Sequence, residues 1–110
     1  MPTPFKSTPE LLAAAQRGEL EGITIEEMTI GAVDLVGANL SGVVFRGVSL
    51  DGASLRNARC VGARFEQVSF RGASFVAADL MEATFLGCDL EEADFTAAEL
   101  SSASLDGSKL

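Results

Sequence analysis

The chain has 110 residues, enough for one domain, and it carries 16 acidic against 8 basic residues, a net charge of −8. A chain this acidic is repelled by nucleic acid and by anionic lipid, so we expect neither direct nucleic-acid binding nor a membrane partner. It shows no signal peptide and no stretch long enough to span a bilayer. With two cysteines and no reason to pair them, the expected location is the cytoplasm.

The first predicted element is a short helix that follows a loose tail at residues 1–6. Ser7 or Thr8 can cap it, Pro9 is tolerated in its first turn, and Gly18 is a suitable stop. A helix of under three turns is unstable alone, so we expect it to dock on the open end of the structure that follows. The predicted organisation is therefore a tail and capping helix at residues 1–19 and one repeat domain at residues 20–110.

From Ile25 to Leu110, every fifth residue is apolar, eighteen times in eighteen positions. Since 47% of all residues are apolar, chance would give this in about one register in a million. We term these residues the centres: Ile25, Ile30, Leu35, Leu40, Phe45, Leu50, Leu55, Cys60, Phe65, Phe70, Phe75, Leu80, Phe85, Leu90, Phe95, Leu100, Leu105 and Leu110. The period predicts a repeat fold.

Two further positions of each five-residue unit are restricted. The residue two before the centre, the small slot, is alanine in ten of eighteen units and polar only at Ser108. Because residues two apart on an extended chain point the same way, both the centre and the small slot should face inward. The residue two after the centre, the bend slot, is glycine in eight of seventeen units and never β-branched. That preference indicates a bend or a crowded backbone.

A coil that turns a corner every five residues fits this pattern. In an α-helix, a period of five would carry the centres round the whole axis, and a flat sheet would show period two. Coils of extended pieces and corners can instead stack through backbone hydrogen bonds about 4.8 Å apart.

The units Ala38-Asn39-Leu40, Ala78-Asp79-Leu80 and Ala93-Asp94-Phe95 resemble the A(D/N)Lxx motif of pentapeptide-repeat proteins, and the resemblance extends over residues 23–110. It implies an all-β fold, a right-handed four-sided parallel β-helix with four units per coil, closed here by the N-terminal helix. The centres then form four walls. Wall one begins with Ile25, wall two with Ile30, wall three with Leu35 and wall four with Leu40, and each continues at intervals of twenty residues.

Residues suited to catalysis or to cofactor binding are scarce. The chain has no histidine, and Cys60 and Cys88 fall in core positions, two coils apart and too distant for a disulfide. Carboxylate pairs such as Glu26-Glu27 and Glu91-Glu92 would lie on a solvated convex surface. We therefore expect no catalytic, cofactor-binding or metal-binding residues, and no enzyme.

Charge is unevenly distributed along the chain. Residues 1–40 carry a net charge of −4, residues 41–75 a net +3 from five arginines and two acids, and residues 76–110 a net −7. The rod should therefore have acidic ends and a basic middle. This middle is either an ordinary soluble surface with ion pairs between coils or a docking surface.

Apolar residues in outward positions, and the end of the rod, suggest contacts with other proteins. Val61, Val76, Met81 and Leu86 are either scattered apolar surface or a small protein-contact patch. The last coil has no covering helix, so we predict that the chain associates with itself through this end, most simply as a two-fold dimer. The apolar side chains expected at this end are Leu100, Leu105 and Leu110.

The favoured function is a non-enzymatic structural or protein-interaction module whose partner the sequence does not name. The alternative comes from the resemblance: some pentapeptide-repeat proteins imitate double-stranded DNA, bind DNA gyrase and protect it from quinolones. The net charge of −8 suits that role, whereas the arginines interrupt the acidic track. A role as an add-on module of bacterial secretion machinery is a third possibility.

Overall fold

The computed structural model describes residues 8–26, 30 and 32–110. One helix, α1 (Thr8–Gln16), precedes four short strands: β1 (Thr24–Glu26), β2 (Val44–Arg46), β3 (Arg64–Glu66) and β4 (Thr84–Leu86). The strands form one parallel sheet in the order β1-β2-β3-β4. The predicted capping residue Ser7 lies outside the described residues.

Each coil takes twenty residues, as the four-sided arrangement requires. In the strands of wall one, Ile25 pairs with Phe45, Phe45 with Phe65 and Phe65 with Phe85. Isolated parallel bridges repeat the same interval on the other walls, as in Ser54 with Ser74 on wall three and Ser69 with Ser49 on wall two. The molecule measures 30 × 23 × 22 Å along its principal axes.

Two sets of backbone hydrogen bonds hold the coils. Between coils, a centre amide donates to the carbonyl nineteen residues on, as from Leu55 to Ser74 at 2.7 Å. At the corners, the amide of the next small slot donates back to the centre carbonyl, as from Ala58 to Leu55 at 3.1 Å. These bonds give the backbone of a short unit its partners, so three-residue strands suffice.

The bend slot has a left-handed backbone. Its glycines have φ between +63° and +72°, and the slot keeps this conformation with other residues, such as Asn57 at 59° and Glu82 at 60°. A Cβ added at Gly47 or Gly62 would meet no atom within 4 Å. At these corners the slot therefore prefers glycine because of its φ and not because of crowding.

The polar residue before each centre also has a local role, which explains the Asp and Asn of the motif. The Asn39 side chain accepts a hydrogen bond from the amide of Ser41 at 3.1 Å, and the Asp94 carboxylate accepts one from the amide of Thr96 at 2.9 Å. A short polar side chain here stabilises the corner that follows.

The interior of the coils is filled by centres and small slots, and Leu11, Ala14, Ala15 and Leu20 complete the core at the helix end. Among the described residues, every buried side chain is apolar. Phenylalanines stack along the walls, with ring centroids 4.9 Å apart for Phe65 and Phe85 and likewise for Phe75 and Phe95. Edge contacts such as Phe65 with Phe70, at 5.1 Å, join neighbouring walls.

The two ends of the stack differ. Helix α1 covers one end and buries Leu11, and it stops where expected, at Gly18, with the amide of Glu19 donating to Ala14 at 2.9 Å. At the other end, no residue that the structure describes covers the last coil. Leu105 is half-buried, while Leu100 is 36% exposed and Leu110 78% exposed.

Candidate protein-binding surface on the fourth wall

The two cysteines are buried, free thiols. Burial raises the pKa of Cys60 to about 12, and burial also raises the pKa of Cys88. The Cys88 thiol donates to the backbone carbonyl of Phe65 at 3.3 Å. Neither thiol forms a thiolate at neutral pH, so both act as small core residues.

The described residues contain no group of three or more His, Cys, Asp or Glu side chains placed to hold a metal ion. Of the predicted acidic pairs, Glu91 lies within 3.5 Å of both Arg71 and Lys109. Glu27 lies outside the described residues. The acidic side chains that the structure does describe are surface groups.

An open depression of about 500 Å³ runs along the corner that follows wall one. Arg46, Glu66 and Leu86 line it together with glycines and Gln67. Arg46 and Glu66 form an ion pair across its floor at 3.0 Å. Two of the charged groups that line the depression therefore pair with each other, and Asp106 also lines it.

Three of the five arginines in the basic middle are neutralised by neighbouring carboxylates. Arg46 and Arg64 both pair with Glu66, and their hydrogen bonds hold the pKa of that carboxyl below its ordinary value. Arg71 lies 3.4 Å from Asp89 and 3.5 Å from Glu91. Arg46 and Arg71 thus pair with carboxylates of a neighbouring coil, as the interpretation as ion pairs between coils expects, whereas Arg64 pairs within its own coil.

The other two arginines of this group differ. No carboxylate oxygen of the described residues lies within 4 Å of Arg56 or Arg59, and both are exposed. Asp79 is paired with Arg59 in the next coil, but its carboxylate accepts a hydrogen bond from the amide of Met81 at 3.2 Å. Hydrogen bonds from Thr96 lower the pKa of Asp94, to which the charge of Arg56 adds a smaller contribution.

Apolar side chains flank these arginines on both corners of wall four. On one corner, backbone bonds of 2.9 and 3.0 Å link the turn of Val36 to that of Arg56 and the turn of Arg56 to that of Val76. On the other corner, the amide of Gly62 donates to Met81 at 3.0 Å, which stacks Met81 on Val61. We term the group the wall-four surface: Val36, Arg56, Arg59, Val61, Val76 and Met81.

The structure therefore divides the predicted contact patch. Val61, Val76 and Met81 lie on the wall-four surface, whereas Leu86 lies in the depression, on the corner between walls one and two. Sequence reasoning missed Val36, which is 44% exposed, and did not single out Arg56. The twenty-residue register could have found both, because it places Arg56 between Val36 and Val76 in one column.

A family model for pentapeptide repeats matches the chain over residues 34–72, 49–87 and 73–110, with eight copies. The chain belongs to the pentapeptide-repeat family, and its fold is the right-handed four-sided β-helix of that family. A comparison with curated proteins finds no match. Among the described residues, no helix has the length and apolar character that a bilayer span requires.

Solved pentapeptide-repeat structures are similar to this chain. QnrB1, a plasmid-mediated fluoroquinolone resistance protein, is 26% identical with a TM-score of 0.70, over 74% of this chain and 42% of its own. AT2G44920, from the Arabidopsis thaliana thylakoid lumen, is 34% identical with a TM-score of 0.66, over 69% and 52% of the two chains. HetL of Nostoc, involved in heterocyst differentiation regulation, is 29% identical with a TM-score of 0.51, over 81% and 47%. The chain spans about half the length of these relatives.

Proposed function

We propose that the protein is a non-enzymatic interaction module, a rigid stack that presents its outer surface to another protein. One observation carries this proposal: the buried side chains of the described residues are all apolar, and none of them is left for chemistry. Outward side chains, by contrast, form hydrogen bonds at the corners or ion pairs at some positions and are left exposed at others, such as Val36 and Met81. The shared fold of relatives with unrelated printed roles, in drug resistance and in cell differentiation, supports the same view.

The test is a direct binding measurement between the purified protein and a purified candidate partner. If the protein is an interaction module, it should form a saturable one-to-one complex with the partner and should not alter the partner chemically. Variants of outward residues should alter this binding while the unfolding midpoint stays the same. Binding that persists after the stack has been unfolded would contradict the proposal, because the partner would then recognise an unfolded chain.

DNA mimicry with DNA gyrase as the partner is the second candidate. The likeness to QnrB1 and the net charge of −8 favour it. A supercoiling assay with purified gyrase and a quinolone separates the two candidates, because only a gyrase-binding mimic restores supercoiling. The variant R56E/R59E sharpens the assay, since it removes the two arginines that interrupt the acidic surface and should improve any protection.

Self-association through the bare end is also part of our proposal. Leu100, Leu105 and Leu110 form an apolar edge with unpaired strands in the last coil of this 110-residue chain. A second copy stacked end to end would cover it, and high salt should favour the contact by screening the acidic residues nearby. Sedimentation velocity tests this: an 11.4 kDa monomer at all concentrations, with Leu110→Glu unchanged, would contradict it.

A further inference from the structure

The wall-four surface combines arginine with apolar side chains. Arginine and methionine are enriched at protein interfaces, and arginine is among the residues that contribute most to binding. Val36 and Met81 are 44% and 39% exposed. Arg56 lies in the column of Val36, and Arg59 lies between that column and the column of Met81. We propose that this surface binds an acidic segment of another protein, one in which carboxylates alternate with apolar side chains. The inference rests on the proposed function as an interaction module.

We expect carboxylates in this partner because the guanidinium groups of two arginines have no carboxylate within 4 Å among the described residues. A guanidinium presents five N–H donors in a planar fork that fits a carboxylate in two-point contact. The chain carries 16 acidic residues, yet in the described part none reaches Arg56 or Arg59 within 4 Å. The neighbouring acids are engaged locally: the Asp79 carboxylate accepts a hydrogen bond from the amide of Met81, and the Asp94 carboxylate, on which the charge of Arg56 has only a small effect, accepts one from the amide of Thr96 at 2.9 Å. The fork donors therefore remain for a partner.

The apolar part of the partner follows from the columns on either side. Val36 and Val76 flank Arg56 one coil away on each side, and Met81 stacks on Val61 along the opposite corner. A segment that crosses wall four would meet valines and Arg56 at one corner, Arg59 in the middle, and apolar side chains at the other corner. Alternation of carboxylate and apolar residues in that segment matches this order.

The negative charge of the rest of the protein does not prevent such docking. Most of the acidic excess lies in residues 76–110, with a net charge of −7. At physiological ionic strength the screening length is about 8 Å, so distant carboxylates act weakly on a bound segment while contact pairs persist. The same numbers disfavour a nucleic acid, because tight binding to phosphates needs about six to ten contacts and this surface offers two arginines.

A random-peptide display selection on the purified chain tests the chemistry of the partner. Enriched peptides should be rich in Asp and Glu alternating with apolar residues, and their binding should weaken as salt rises. The affinity of an enriched peptide should fall about tenfold or more per arginine in R56A/R59A. M81S should weaken it several-fold.

Matched control variants keep the test specific. R46A/R64A removes the same charge from arginines that pair with Glu66, and L86S removes a side chain as exposed as Met81, at 41% against 39%. Both controls should leave peptide affinity within about twofold of wild type. Circular dichroism must show that each variant is folded.

Each contrary outcome has a distinct meaning. Peptides that bind R56A/R59A as tightly as wild type but lose affinity for L86S would overturn the wall-four assignment and leave the interaction module standing. Enriched peptides without acidic residues would overturn the stated chemistry. A duplex DNA probe that displaces the peptides would show a nucleic-acid surface instead. A selection that yields no binder to any surface would overturn both this inference and the proposed function.

Discussion

Wall four has an inner side and an outer side that follow opposite rules. On the inner side, Ala58, Ala78 and Leu80 are at most 1% exposed and repeat at fixed intervals. On the outer side, the same wall carries Arg59 and, at its corners, Val61, without any such regularity. Because successive side chains of the extended chain point to opposite sides, residues adjacent in sequence are subject to different constraints.

The difference shows how a repeat protein separates stability from recognition. Inward side chains must match the coil above and the coil below, so their size is fixed. Outward side chains have only neighbours in their own column and water, so their chemistry can vary without loss of the stack. Predictions for the two sides of wall four should therefore diverge strongly.

The largest effect is expected on the inner side, for Ala78→Leu. Ala78 is 1% exposed in a column that continues with Ala58 and Ala98, so the added atoms have no space, and overpacking costs about 1–3 kcal/mol or more. Leu80→Met, two residues on, keeps the volume and should cost under about 1.5 kcal/mol. Urea unfolding followed by circular dichroism compares them, and equal midpoints would contradict the inward assignment of the small slot.

A smaller loss is expected at the corner, for Gly62→Val. The added side chain meets no atom within 4 Å, but the φ of +68° costs an L-residue about 1–2 kcal/mol, and β-branching adds to this. Glu82→Gly, in the same column with φ of 60°, removes such strain and should not lower stability. If Gly62→Val unfolds at the same urea concentration as wild type, the φ of this slot does not limit the sequence.

The smallest effect belongs to the ion pairs on wall one. Hydrogen bonds from Arg64 and Arg46 lower the pKa of Glu66 from its ordinary value of 4.5. Because the folded-state pKa is the lower one, this stabilisation is present above pH 4.5 and is lost as the pH falls through the folded-state pKa. Glu66→Gln should therefore cost under about 1 kcal/mol at pH 7 and flatten the acid loss of stability. A Glu66→Gln profile parallel to wild type between pH 6 and 2, measured by urea unfolding, would contradict this.

The fold could be predicted from the sequence because the five-residue period reflects both the corners of the backbone and the packing of the core. The unbroken centres, the alanine of the small slot and the glycine of the bend slot each correspond to one structural feature, and the structure shows all three. The exposure of the final coil was also expected from the sequence, because no helix is predicted to cover it. Leu100 and Leu110 have the centre residue type and are exposed.

Only part of the candidate site could be predicted from the sequence. Charge counts predicted a basic middle, and the twenty-residue register would have paired Arg46 with Glu66 as the structure does. The same register would have paired Arg59 with Asp79, which the structure does not show. Asp79 instead accepts the amide of Met81, a choice between two hydrogen-bond donors that depends on local geometry.

The central claim is that Arg56 and Arg59, on the outer side of wall four, are not needed for the fold and are therefore available for binding. The most direct test is the free energy of unfolding of R56A/R59A in urea, measured beside R46A/R64A. We predict that R56A/R59A stays within about 0.5 kcal/mol of wild type, because surface changes away from caps and ion pairs have little effect. A loss of more than about 2 kcal/mol in R56A/R59A would show that these arginines hold the stack together, and would contradict the claim.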